Sequence, residues 1–182
     1  KKADEIKKSL AKNGVTKGDC VVGYLRNHPD TIAAFLATNA LGAVWSCCSP
    51  DFGIESVKER FGPLKPKVLF AHTHYSYKQK TFLLKDKIQA LKTTLNLEEK
   101  AVIYCPGTTE DWDLETEEKI PLNPISVEFN HPIWVLFSSG TTGQPKAITH
   151  RTGGMLLEQL KALALHQEVK ENDRFFWHTT TG

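Results

Sequence analysis

Short β-rich runs alternate with helical stretches through the first hundred residues, and that rhythm leaves few folds open. Val21–Leu25, Ala43–Trp45, Lys67–Phe70 and Ala101–Tyr104 are compact runs of strand formers. Helical spacing fills the gaps. Thr31–Leu41 sets Ile32, Phe35, Leu36, Asn39 and Ala40 near one face, and Ile54–Phe61 follows the turn at Ser49–Gly53. A further helix from about Phe82 to Leu95 presents Leu84, Ile88, Leu91 and Leu95. Ahead of them, Ala3–Lys12 reads as a helix stopped by Gly14. Parallel neighbours need crossovers of about a dozen residues, and these helices provide them. The expected fold class is α/β, with alternating βαβ units and a parallel sheet covered by helices.

The rhythm breaks over residues 105–127. This stretch holds Pro106, Gly107, Pro121 and Pro124, with six acidic residues between Glu110 and Glu118, and reads as an acidic connector. Residues 128–182 then give a strand at Ile133–Phe137, a loop rich in hydroxyls and glycine, and an extended piece at Ala147–His150. A helix from about Gly154 to Leu165 follows, its apolar face made of Leu156, Leu157, Leu160, Leu163 and Ala164. Phe175–Trp177 reads as a last strand, and Trp45, Trp134 and Trp177 are expected in the core. The chain opens inside a helix-like stretch and closes on a polar glycine turn. The expectation is therefore an internal segment of a longer polypeptide.

Composition excludes several classes. The 182 residues are 40% apolar and 24% charged, enough to bury a core without disulfide or metal staples. No apolar run approaches the ~20 residues of a membrane span, and no signal-peptide core opens the chain. Residues 1–100 carry 17 Lys/Arg against 10 Asp/Glu, and residues 101–182 carry 6 against 11. The basic residues are scattered (Lys7, Lys8, Lys58, Lys85, Lys87, Lys92) and read as solvated helix faces, so no nucleic-acid partner is expected. Cys20, Cys47, Cys48 and Cys105 form no C-x-x-C pair, and adjacent Cys47 and Cys48 suit a disulfide poorly. Free thiols in a reducing cytoplasm are expected. His72-x-His74 has no third ligand at metal-site spacing, so both read as surface or supporting histidines and no metal site is expected.

One stretch carries chemistry: Ser138-Ser139-Gly140-Thr141-Thr142-Gly143-Gln144-Pro145-Lys146. Glycines let backbone N–H groups turn toward an anion. Hydroxyls donate further hydrogen bonds, and Lys146 supplies a compact positive charge for phosphate oxygens. The chemistry suits a polyphosphate. It is not a Walker A loop, because Lys146 leads into Ala147-Ile148-Thr149, which prefers extended backbone, where that motif enters a helix. Asp51-Phe52-Gly53 spells a kinase triplet, yet no H-R-D-x-x-x-x-N precedes it. A helix-starting turn capped by Ser49 or Asp51 is the better account.

The nine-residue loop resembles the phosphate-binding loop of adenylate-forming enzymes: acyl-CoA synthetases, luciferases and the adenylation domains of peptide synthetases. Trp45–Gly53, Asn130–Phe137 and Asp173–Gly182 are most similar to the acetoacetyl-CoA synthetase branch of that family. The resemblance implies that residues 1–182 belong to the large N-terminal AMP-binding domain, with the C-terminal domain absent. It implies an ATP-dependent acid–thiol ligase that activates acetoacetate as its adenylate, releases pyrophosphate and transfers the acyl group to CoA. Ser138, Ser139, Gly140, Thr141, Thr142, Gly143 and Lys146 would hold the ATP phosphates, with Lys146 also acting in catalysis. Thr180, Thr181 and Gly182 would edge the substrate pocket, though a plain strand-to-loop turn explains them equally well. Mg2+ is implied as cofactor, its ligands mostly outside these residues. Another short-chain acyl-CoA synthetase is the nearest alternative. A phosphotransferase or a non-catalytic nucleotide-binding remnant are the alternatives from other classes.

Overall fold

The computed structural model describes residues 1–105, 107, 121–138, 143–177 and 179, and every structural statement below concerns those residues. Helix α1 (Lys2–Lys12) leads into β1 (Cys20–Tyr24), followed by α2 (Pro29–Ala40), β2 (Val44–Cys48), α3 (Ile54–Phe61) and β3 (Val68–His72). A hairpin of β4 (His74–Tyr77) and β5 (Lys80–Leu83) precedes α4 (Lys85–Thr94) and β6 (Val102–Cys105). Then come β7 (Pro132–Ser138), β8 (Lys146–Arg151) and α5 (Thr152–Lys161), which ends in a π-helical turn at Ala162–His166. No helix among the described residues is long and apolar enough to cross a membrane.

Six strands make one sheet in the order β6-β3-β1-β2-β7-β8. The first five run parallel, and β8 pairs antiparallel with β7. This is the α/β fold that the alternation implies. Because strand side chains alternate, each central strand feeds both faces. Val21, Trp45 and Phe70 pack with Leu10 of α1 and with Ala34 and Ala37 of α2. Val22, Cys48 and Leu69 pack instead with Val57 and Phe61 of α3 and with Ile88 and Leu91 of α4. Both faces being covered, β2 and β3 are buried along their whole length. Gly23 is small for a reason: a Cβ there would lie 2.8 Å from Cη2 of Trp45.

Four expectations are corrected. The helix expected from Phe82 begins at Lys85, because Phe82 and Leu83 lie in β5. Lys78 and Gln79 take left-handed φ values of 46° and 62°, a two-residue hairpin turn made without the Asn-Gly or Asp-Gly that usually announces one. Neither Ser49 nor Asp51 caps α3, whose N-cap is Gly53 with no side-chain hydrogen bond. Phe175–Trp177 is not a strand, and Trp177 is 68% exposed rather than core. Helix α5 keeps its expected apolar period but buries no residue.

The acidic residues of the connector lie outside the described residues. Its last part is tied down: Lys7 Nζ donates to the carbonyls of Leu122 (2.9 Å) and Asn123 (2.6 Å), and Ile125 N donates to Ala40 O at 3.0 Å.

Candidate functional site

The hydroxyl-rich loop joins β7 to β8. Their register closes on Ser138 opposite Lys146, so residues 139–145 bridge the two strands. Ser138 is half-buried, while Gly143 and Lys146 are exposed. Gly143 has φ +143°, backbone that a side chain would strain. Ser139, Gly140, Thr141 and Thr142 lie outside the described residues, as do Thr180, Thr181 and Gly182. Lys146 enters a strand, so the geometry agrees with the exclusion of a Walker A loop.

Several contacts hold β7 and the start of this loop in place. Ser46 Oγ donates to Val135 O at 2.8 Å, tying β2 to β7 beside their single register pair, Trp45 with Trp134. The Trp134 ring sits between Phe35 of α2 (5.6 Å) and His150 of β8 (5.8 Å). At the entry to β7, His131 Nε2 donates to Gly42 O at 2.8 Å, and Thr152 N and Oγ1 both donate to His131 O. His131 thus works as a strand-entry brace. The loop leaves the carboxyl end of β7, the edge where β1, β2, β3 and β6 also end, and α/β sheets bind ligands along that edge.

Two neighbouring loops at this edge are also fixed. The Tyr24 hydroxyl lies 2.6 Å from Pro50 O and 2.7 Å from Phe52 O, pinning the turn after β2. Burial keeps that phenol protonated by raising its pKa. The segment after β1 rests on His72, whose Nδ1 accepts the Arg26 backbone N–H at 3.2 Å. The Arg26 guanidinium reaches Gly107 O, and Thr31 Oγ1 donates to Arg26 O at 2.7 Å. His28 N-caps α2, its Nδ1 accepting from Asp30 N at 3.2 Å. Asn27, between these anchors, donates from Nδ2 to Thr179 O at 2.6 Å.

Of the two roles expected for the histidines, surface or supporting, His72 takes the supporting one. His72 is fully buried, and its companions come from the β1–α2 junction, not from neighbouring sequence. Asp30 Oδ2 lies 3.8 Å from His72 Nε2 and 3.1 Å from His28 Nδ1, and the two rings meet edge to face at 5.3 Å. Candidate ligand atoms of the three residues lie within 4.8 Å of one another, close enough to share an ion. The chemistry opposes one. With Nδ1 accepting a backbone N–H, the neutral His72 ring carries its proton on Nε2, and so turns an N–H toward the cluster where a cation needs a lone pair. Burial, then His28 and Arg26, pull the His72 pKa down to about 4, so the ring stays neutral near pH 7. The cluster is a hydrogen-bonded post under the β1–α2 loop. Sequence spacing misses it because 44 positions separate His28 from His72.

All four cysteines are free thiols. Burial pushes Cys48 and Cys105 up to about 12, which leaves them unreactive near neutral pH.

Comparison with known proteins agrees with this arrangement. The family model described as AMP-binding enzyme matches residues 1–181. Among curated relatives, acetoacetyl-coenzyme A synthetase of Rhizobium meliloti is 36% identical over 97% of this chain and 29% of its own length. Acetoacetyl-CoA synthetase of Caenorhabditis elegans is 37% identical over 97% of this chain and 28% of its own. The solved acetoacetyl-CoA synthetase of Streptomyces lividans superposes on all of the chain with a TM-score of 0.85 at 38% identity, over 29% of that structure. The chain thus spans a little under three tenths of these relatives. With a matching profile from one end to the other, a parallel sheet and a hydroxyl-rich loop at its carboxyl edge, the chain belongs to the AMP-binding enzyme family.

Proposed function

We propose that this chain is part of the large N-terminal domain of an acetoacetate–CoA ligase. The carboxylate of acetoacetate attacks the α-phosphorus of ATP, giving acetoacetyl-adenylate and pyrophosphate. The thiol of CoA then displaces AMP to give acetoacetyl-CoA. The observation that carries this reading is 36–38% identity to acetoacetyl-CoA synthetases over 97–100% of the chain, including the solved relative.

Ser138, Ser139, Gly140, Thr141, Thr142, Gly143 and Lys146 hold the departing phosphates. Hydroxyl and backbone donors, with the Lys146 ammonium, stabilise negative charge as it moves onto pyrophosphate. Such donors fit phosphate oxygens. Mg2+ prefers oxygen ligands, commonly carboxylates, and residues 132–151 contain none, so its protein ligands belong to other parts of the enzyme. Thr180, Thr181 and Gly182 edge the acid pocket. Free thiols suit a reducing compartment, and we place the enzyme in the cytoplasm.

Acid-dependent ATP–pyrophosphate exchange by the full-length enzyme tests the reading. A pocket that hydrogen-bonds the 3-oxo group rejects an acid lacking it, so acetoacetate should exceed butyrate and acetate in kcat/KM. Equal values, or a preference for acetate, would assign another short-chain acyl-CoA synthetase. ATP-dependent phosphate transfer without pyrophosphate release would assign a phosphotransferase.

A further inference from the structure

The β7–β8 hairpin joins the rest of the sheet through a narrow seam. Strand β2 is paired with β1 along its whole length, Val44 to Cys48, so its position is set from that side. Toward β7 it makes one register pair among the described residues, Trp45 with Trp134. The next position in parallel register sets Ser46 beside Val135. There a side chain takes over from the backbone ladder, Ser46 Oγ donating to Val135 O at 2.8 Å. Ser46 is 1% exposed, in a strand whose other residues are Val44, Trp45, Cys47 and Cys48. A buried hydroxyl is costly unless bonded, and this bond accounts for a serine in that place. The Phe35 ring also leans on Trp134, but an apolar contact is non-directional and fixes no position along the strand.

Beyond the seam the hairpin is a unit. Pairing of β7 with β8 runs from Pro132 and Arg151 to Ser138 and Lys146. A slide or tilt of β7 against β2 is therefore carried to Ser138 and Lys146 together, about 10 Å along the strand from Val135.

We propose that Ser46 is a positioning residue for adenylate formation. Its bond to Val135 fixes the hairpin on β2, and so fixes where Ser138 and Lys146 meet the phosphates. This rests on the reading above that those two residues hold the phosphates. Ser46 touches no substrate; it acts through β7.

The test uses the full-length enzyme with four variants. Ser46→Ala removes the donor, and Ser46→Cys keeps the volume with a weaker donor. Lys146→Ala and the double variant Ser46→Ala, Lys146→Ala complete a cycle. Acid-dependent ATP–pyrophosphate exchange is measured at a temperature where circular dichroism shows every variant folded. Ser46→Ala should lower kcat about tenfold and raise the KM for pyrophosphate, while the KM for the acid changes less than about twofold. Ser46→Cys should fall within about threefold of Ser46→Ala, because a thiol donates weakly. Added to Lys146→Ala, Ser46→Ala should slow exchange by less than about threefold more, since the group it places is already gone. Full multiplication of the two effects would overturn the proposal. So would a wild-type rate in Ser46→Cys, which would make volume the cause, or a KM for the acid that rises in step with that for pyrophosphate. A wild-type rate in Lys146→Ala would bring down the phosphate reading and this proposal with it. A slowed Lys146→Ala beside an unaffected Ser46→Ala would sink this proposal alone.

Discussion

Lys146 stands exposed at the first position of β8, opposite Ser138 on a paired strand, so its Cα is fixed while its ammonium is free to meet an anion. Removing a charge-assisted contact to a departing phosphate should cost roughly 2–4 kcal/mol in the transition state. Lys146→Ala in the full-length enzyme should therefore slow acid-dependent ATP–pyrophosphate exchange by about 30- to 1000-fold without lowering Tm. A wild-type exchange rate would remove Lys146 from the site. Gly23 illustrates a different constraint, because its backbone is ordinary but the Trp45 indole crosses it. Gly23→Ala forces the indole or the strand to move, and urea unfolding should show a loss of about 1–3 kcal/mol. His72 makes a prediction in pH. Its folded pKa, about 4, lies below the unfolded value near 6.5, so between them the unfolded chain binds a proton that the folded chain refuses. The contribution is complete above about pH 6.5 and is lost as pH falls toward 4. Facing groups shape it, since Asp30 pulls the pKa up while His28, Arg26 and His74 push it down. Between pH 7 and 5, His72→Phe should lose on the order of 1–2 kcal/mol less stability than the wild type. Parallel urea curves at both pH values would check it, and identical losses would show that His72 does not set the acid limit.

Among the elements, Tyr24 links the sheet to the site edge. Its single proton serves two carbonyls of the turn at Pro50 and Phe52, and Lys87 Nζ stands 3.4 Å from the first. Tyr24→Phe leaves those carbonyls short of a donor, and we expect a loss of about 1–2 kcal/mol, with faster amide exchange across residues 49–53. Unchanged exchange there would mean that backbone contacts alone hold the turn. The elements legible in the sequence share one property: their period matches what they bury. Strands β1 and β3, with helices α2 and α3, lie within a few residues of expectation because a strand covered on both faces is continuously apolar and its crossover helix repeats near 3.6. The β4–β5 hairpin was illegible because Lys78 and Gln79 adopt left-handed backbone without the residues that favour it, and because Phe82 and Leu83 continue the apolar period of α4. The hydroxyl-rich stretch stands out in the sequence because its residues are contiguous, and its two ends lie on paired strands β7 and β8. The His28–Asp30–His72 post is assembled by the fold from the start of α2 and the end of β3, which local spacing does not connect.

At the scale of the whole molecule, the two ends of the chain differ in how completely they bury what they carry. Strands β1, β2 and β3 sit between helical layers, whereas α5 has no buried residue, with Leu156 56% and Leu160 64% exposed. Phe175, Phe176 and Trp177 follow and are exposed too. Apolar surface gathered in this way marks an interface. Because the chain covers only 29% of the solved relative, the remaining polypeptide of the full-length enzyme is the partner we expect to cover it. The same reasoning limits what residues 1–182 can do alone. Adenylation by positioning needs acid and nucleotide held in a near-attack geometry, and under the proposed function the loop between β7 and β8 would supply only one wall of such a site. Expressed by itself, this segment should bind a hydrophobic dye strongly, associate at micromolar concentration, and produce no AMP from acetoacetate, Mg-ATP and CoA above background. Residual pyrophosphate binding should be lost in the double variant Thr142→Val, Lys146→Ala. Size-exclusion chromatography, dye fluorescence and the AMP assay measure these together. AMP production near the rate of the full-length enzyme would show that the segment holds a complete active site, and a monodisperse monomer with weak dye binding would show that the α5 face needs no partner.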